Sequence, residues 1–99
     1  MEGVRFKMVD LSKIEKDEDI KEAIIDIFES KVELSDVFFE NIEVSLGIVS
    51  FDFKVDNYET ISYDVLELLI ELITSHGGSD IKFGENSDFG DYWMVFSVV

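Results

Sequence analysis

The sequence predicts an α+β fold: a two-layer sandwich in which an antiparallel-rich sheet of about five strands carries two helices on one face, in the order β-α-β-β-α-β-β. Three observations lead there. Residues 57 to 78 repeat apolar side chains at three- and four-residue steps, the period of a helix lying on a core. The parity of the apolar positions reverses at Gly47, as it does when a strand turns back on itself. The last eight residues, YWMVFSVV, are apolar at both parities, as in a strand buried inside a sheet.

Taking the elements in order, Val4, Phe6 and Met8 alternate with Arg5 and Lys7, the period of a half-buried first strand. Asp19 and Glu22 have capping-box spacing and predict the start of a first helix. Ile20, Ala23, Ile24, Ile27 and Phe28 form its apolar stripe, and it ends near Ser30 or Lys31. Phe38, Ile42, Val44 and Leu46 are apolar and even-numbered; Val49, Phe51, Phe53 and Val55 are apolar and odd-numbered. A hairpin centred on Leu46 and Gly47, pairing Val44 with Val49, Ile42 with Phe51 and Phe38 with Val55, puts all of them on one face. A continuous strand bulged at Gly47 is the rival.

In the second helix Ile61, Val65, Leu68, Leu69, Leu72 and Ile73 face the core, and Asp64, Glu67 and Glu71 line the opposite side. Asp56 and Glu59 have capping-box spacing, with Thr60 and Ser62 as other starts. The helix is expected to stop near Ser75, before Gly77 and Gly78, with His76 serving the negative end of the macrodipole. Ile81 and Phe83 then form a short strand, Glu85 to Asp91 a turn, and Tyr92 to Val99 the last strand. The first six elements resemble in order the split βαβ arrangement of ferredoxin-like folds, with one strand left over; that likeness concerns architecture and not activity.

Residues 1–99 read as one acidic domain, because 99 residues supply one core. Hydrophobic content of 46% argues for folding despite a net charge of −15. No apolar run approaches the ~20 residues of a membrane span and no secretion signal opens the chain, so a cytoplasmic protein is expected. The absence of Cys excludes disulfides and thiol chemistry. Eleven Ile, seven Lys and a single Ala do not fit salt adaptation.

Residues 1–31 hold nine acids and six bases, whereas residues 32–99 hold fourteen acids and only Lys54 and Lys82. A field of this sign repels nucleic acid and anionic membrane and steers the molecule toward basic proteins. His76 alone cannot build a zinc site, and in Glu85 to Asp91 a calcium-loop alignment puts Phe89 at a ligand position, so no metal or cofactor is expected. No phosphate loop or nucleophile elbow is present, and an enzyme is not expected.

The leading expectation is therefore a small acidic protein-binding inhibitor. Its partner would be a nuclease toxin neutralised by an immunity protein, or a nucleic-acid-binding protein blocked by a DNA-mimic or anti-defence inhibitor. Asp64, Glu67, Glu71, Glu85, Asp88 and Asp91 are the expected charged contacts, and Tyr58, Tyr63, Phe89 and Tyr92 the aromatic anchors. This reading needs the acids beyond residue 31 to share one contiguous surface. The alternative is a non-catalytic homo-oligomeric assembly subunit, a homodimer formed by pairing of the apolar C-terminal strand.

Overall fold

Two amphipathic helices must bury their stripes against another layer, and the computed structural model shows them doing so against a sheet. It describes residues 9–55, 60–88 and 90–99. Strands β1 (Val37–Ser45), β2 (Ile48–Val55), β3 (Ser79–Glu85) and β4 (Asp91–Ser97) form one sheet in the order β1-β2-β4-β3, every neighbouring pair antiparallel. Helix α1 (Asp17–Glu29) packs over β1 and α2 (Tyr63–Ser75) over β3. Because β2 and β3 both run opposite to β4, they are parallel to one another, and α2 connects them across it. This is a split βαβ unit.

The described strands number four. The predicted first strand, Val4 to Met8, falls outside the described residues. The core between the layers contains Ile20, Ile24 and Phe28 from α1 and Leu69, Leu72 and Ile73 from α2. From the sheet come Val49, Phe51, Phe53, Tyr92, Met94 and Phe96. Phe28 stacks on Phe39 with ring centroids 4.5 Å apart, and Phe53 stacks on Tyr92 at 5.6 Å. Aromatic stacking of this kind adds to the burial of ring area.

One expectation about element ends is corrected, and one of the alternative starts given for the second helix is the one observed. Helix α1 begins at Asp17, its N-cap Lys16 makes no side-chain cap bond, and Asp17, Glu18 and Asp19 all lie in its first turn. Their carboxylates favour the positive end of the helix from inside it, which removes the need for a capping box. Helix α2 is capped by Ser62, whose Oγ accepts from the Val65 N–H at 3.2 Å; Asp56 and Glu59 lie outside the described residues. It ends at Ser75 as predicted, with Gly77 in the left-handed region. His76 stands at this end of α2, and its Nδ1–H donates to the Val9 carbonyl at 2.7 Å.

The hairpin turns at Leu46 and Gly47, with φ of 52° and 79°, the two positive values of a tight primed turn. Val44 pairs with Val49 as expected, Ile42 and Phe51 fall in an irregular stretch without a register partner between β1 and β2, and beyond it the expected Phe38–Val55 pair slips by one: Val37 opposes Val55 and Phe39 opposes Phe53. The cause is a bulge between Glu40 and Glu43, where Asn41 takes φ of 55°. An extra residue reverses the parity of everything before it. Phe39 therefore points into the core, and Phe38 stands 49% exposed on the far face of the sheet. The Asn41 side chain reaches across that face and donates from Nδ2 to Asp52 Oδ2 at 2.8 Å.

Candidate functional site

The acids were expected to gather on one surface, and they divide between two. On the helical layer Asp17, Glu18, Asp19, Glu22, Asp26 and Glu29 of α1 and Asp64, Glu67 and Glu71 of α2 are all exposed, and Lys21 is the one base within these helices. On the open face of the sheet Glu40, Glu43, Asp52 and Asp91 alternate with Lys54 and Lys82. Lys54 Nζ lies 3.5 Å from Glu40 Oε2, and Asp91 opposes Lys54 in register. The sheet face is thus partly neutralised, whereas among the described residues of the two helices Lys21 alone offsets nine acids. The exposed acids of α1 all precede residue 31 and stand on the same layer as the row on α2.

The spacing of these rows is set by helical geometry. Asp19, Glu22, Asp26 and Glu29 recur along one side of α1 over about 15 Å, and Asp64, Glu67 and Glu71 along α2 over about 10 Å. Each row carries about one charge per 5 Å, against one per ~1.7 Å along duplex DNA. Neither row alone reproduces the charge density of a nucleic acid.

The predicted contact residues fall into three groups. Tyr58 and Phe89 lie outside the described residues. Tyr63 opens α2 with 74% of its surface exposed, beside Asp64, while Glu85 and Asp88 are exposed at the β3–β4 turn. A hydrogen bond from the Ile61 N–H to the Tyr92 hydroxyl, 3.2 Å, ties the approach to α2 to the start of β4, so these residues share one end of the molecule. Tyr92 itself is not an anchor. It is 8% exposed, with its ring in the core, and is corrected from a surface to an interior role. Asp91 is half-buried, and its Oδ1 is enclosed without a hydrogen-bond partner among the described residues.

A second feature escaped the sequence. Between the C-terminal half of α1, the turn Val32–Leu34 and strand β1 runs a groove of about 700 Å³ whose apolar lining includes Ile25, Phe28, Val32, Leu34, Val37 and Phe39. Val32 is 78% exposed at its lip. The bulge creates part of this floor by turning Phe39 inward, which is why even–odd counting hid it.

Among the described residues no three His, Asp or Glu side chains converge as a metal site would require, and no helix is long and apolar enough to cross a membrane. Compared with protein families, with curated proteins and with solved structures, the chain matches none.

Proposed function

We propose that this chain is a non-catalytic binding protein that docks its acidic surface on a basic protein partner, in the manner of an inhibitor. Two forms fit: an immunity protein for a nuclease toxin, or a DNA-mimic or anti-defence inhibitor of a nucleic-acid-binding protein. The observation that supports it is the helical layer, with nine exposed carboxylates on two helices and Lys21 as their one internal base. Unneutralised charge of one sign steers a partner of opposite sign, and the exposed Tyr63 supplies an apolar anchor at the end of the α2 row.

The test is capture of basic proteins at low salt, followed by association kinetics over a range of ionic strength. The expected rate falls by at least about tenfold as the Debye length shortens from low to high salt. Asp64→Asn, Glu67→Gln and Glu71→Gln together should flatten that dependence without lowering stability. A rate indifferent to salt, or unaltered by the triple change, rejects the reading.

The pairing of β4 gives the assembly alternative in its strand-pairing form no support. β4 is hydrogen-bonded to β2 on one side and to β3 on the other, so it has no edge to offer a second copy.

A further inference from the structure

We infer that the groove beside β1 receives an extended segment of the basic partner, added as a strand to the edge of the sheet, its residues alternating between apolar and Lys or Arg. This deepens the reading above and rests on it. β1 is a nine-residue edge strand, VFFENIEVS, with neither Lys nor Pro, and no described strand pairs with its outer side. Native edges of that length are ordinarily blunted by such residues, because a row of free N–H and C=O groups is a template for another chain. Among the described residues the edge is blunted only by the bulge at Asn41 and by the charges of Glu40 and Glu43, which select for a basic strand.

What would lie on each side of an added strand fixes its chemistry. Successive side chains of a strand point to opposite faces. On the helical side the added residues would enter the groove, against Ile25, Phe28 and Val32, and must be apolar. On the open side they would stand beside Phe38, Glu40 and Glu43, where carboxylates call for Lys or Arg. Exposed Glu29 lines the groove together with Lys31, and exposed Glu33 and Asp36 in the same connecting segment add to the negative field. A second copy is the poorer occupant. Pairing β1 with its twin would bring Glu40 and Glu43 of two chains together, each chain carrying a net charge of −15.

The probe is a short acetylated peptide alternating Lys with Val and Phe, added to the full chain. Binding should slow hydrogen exchange of the β1 amides about tenfold or more and shift the resonances of Ile25 and Val32. Val32→Asp, at an exposed lip where folding is not at stake, should weaken the peptide about tenfold. Glu43→Lys should weaken it as well and transfer preference to a peptide with Glu in place of Lys. N-methylation of alternate peptide amides on the pairing edge should abolish binding.

An N-methylated peptide that binds equally, or shifts that fall elsewhere, overturns the proposal. So does dimerisation through β1 in sedimentation, which makes a second copy the occupant. Residues 4–8, Val-Arg-Phe-Lys-Met, carry the same alternation, and β1 amides already protected in the free protein would assign the groove to that segment instead. A captured basic partner whose affinity ignores Val32→Asp and Glu43→Lys refutes the groove and spares the acidic surface. Peptide binding with no salt-dependent protein partner does the reverse.

Discussion

The main-chain N–H of Ile61 donates to the hydroxyl of Tyr92 over 3.2 Å, joining two residues 31 positions apart. The Tyr92 ring stacks on Phe53 beneath it. Tyr92→Phe keeps the ring and strands the Ile61 donor, so it should cost about 1 kcal/mol in urea denaturation. Partner affinity should not change, since the side chain is interior. Tenfold weaker binding at unchanged stability would restore Tyr92 as an anchor.

Leu46 holds φ of 52° with 89% of its surface exposed. A leucine there has the strain of the left-handed region and no burial to offset it. Leu46→Asn, which suits the first position of a primed turn before Gly47, should raise stability by about 0.5–1 kcal/mol and the melting temperature by a few degrees. A fall would mean that Leu46 packs on something in solution.

Gly84 faces Trp93 across β3 and β4, and a Cβ placed on it would come within 3.0 Å of the indole. Gly84→Ala should push the ring outward, shifting the emission of the single Trp to the red and costing about 1 kcal/mol. Unshifted emission would show that the ring slides within the face at no cost.

Asp10 accepts from the Ser12 hydroxyl at 2.6 Å and from the Ser12 N–H at 3.1 Å, and these bonds, the hydroxyl's first, hold its carboxyl below the usual carboxylate range. Its folded value is depressed, so its contribution is present above the ordinary value and is lost as pH falls through the lowered one. Stability measured from about pH 5 down to pH 2 should therefore lose a component that Asp10→Asn lacks. Identical slopes would exclude the linkage.

Periodicity revealed both helices, because one apolar stripe on a 3.6-residue repeat leaves few other solutions; α2 ends where Gly77 and His76 imply. The doubly apolar last strand was legible as an inner strand, and β4 is one. Counting failed at Asn41. An even–odd rule assumes an unbroken pleat, and a single left-handed residue exchanged the faces of Phe38 and Phe39 and concealed the groove. The signal was present in retrospect, since Asn is among the residues that tolerate positive φ and it stands where Val37 and Phe39 give way to Ile42 and Val44. The distribution of acid was less legible still. Helical spacing puts Glu67 outside, but which layer Asp52 and Asp64 belong to depends on how strands and helices stack.

Because β4 follows β2 and β3 in the chain yet lies between them, the ribosome delivers both flanking strands before the piece that joins them. Until it arrives, the nascent protein presents two inward borders as well as its eventual outer ones, backed by Phe51 and Phe53 with no Met94 or Phe96 to cover them. Such an intermediate invites chaperone capture or clumping. Docking of β4 between β2 and β3, rather than closure of the early hairpin, is the step at which the polypeptide becomes safe from its own neighbours.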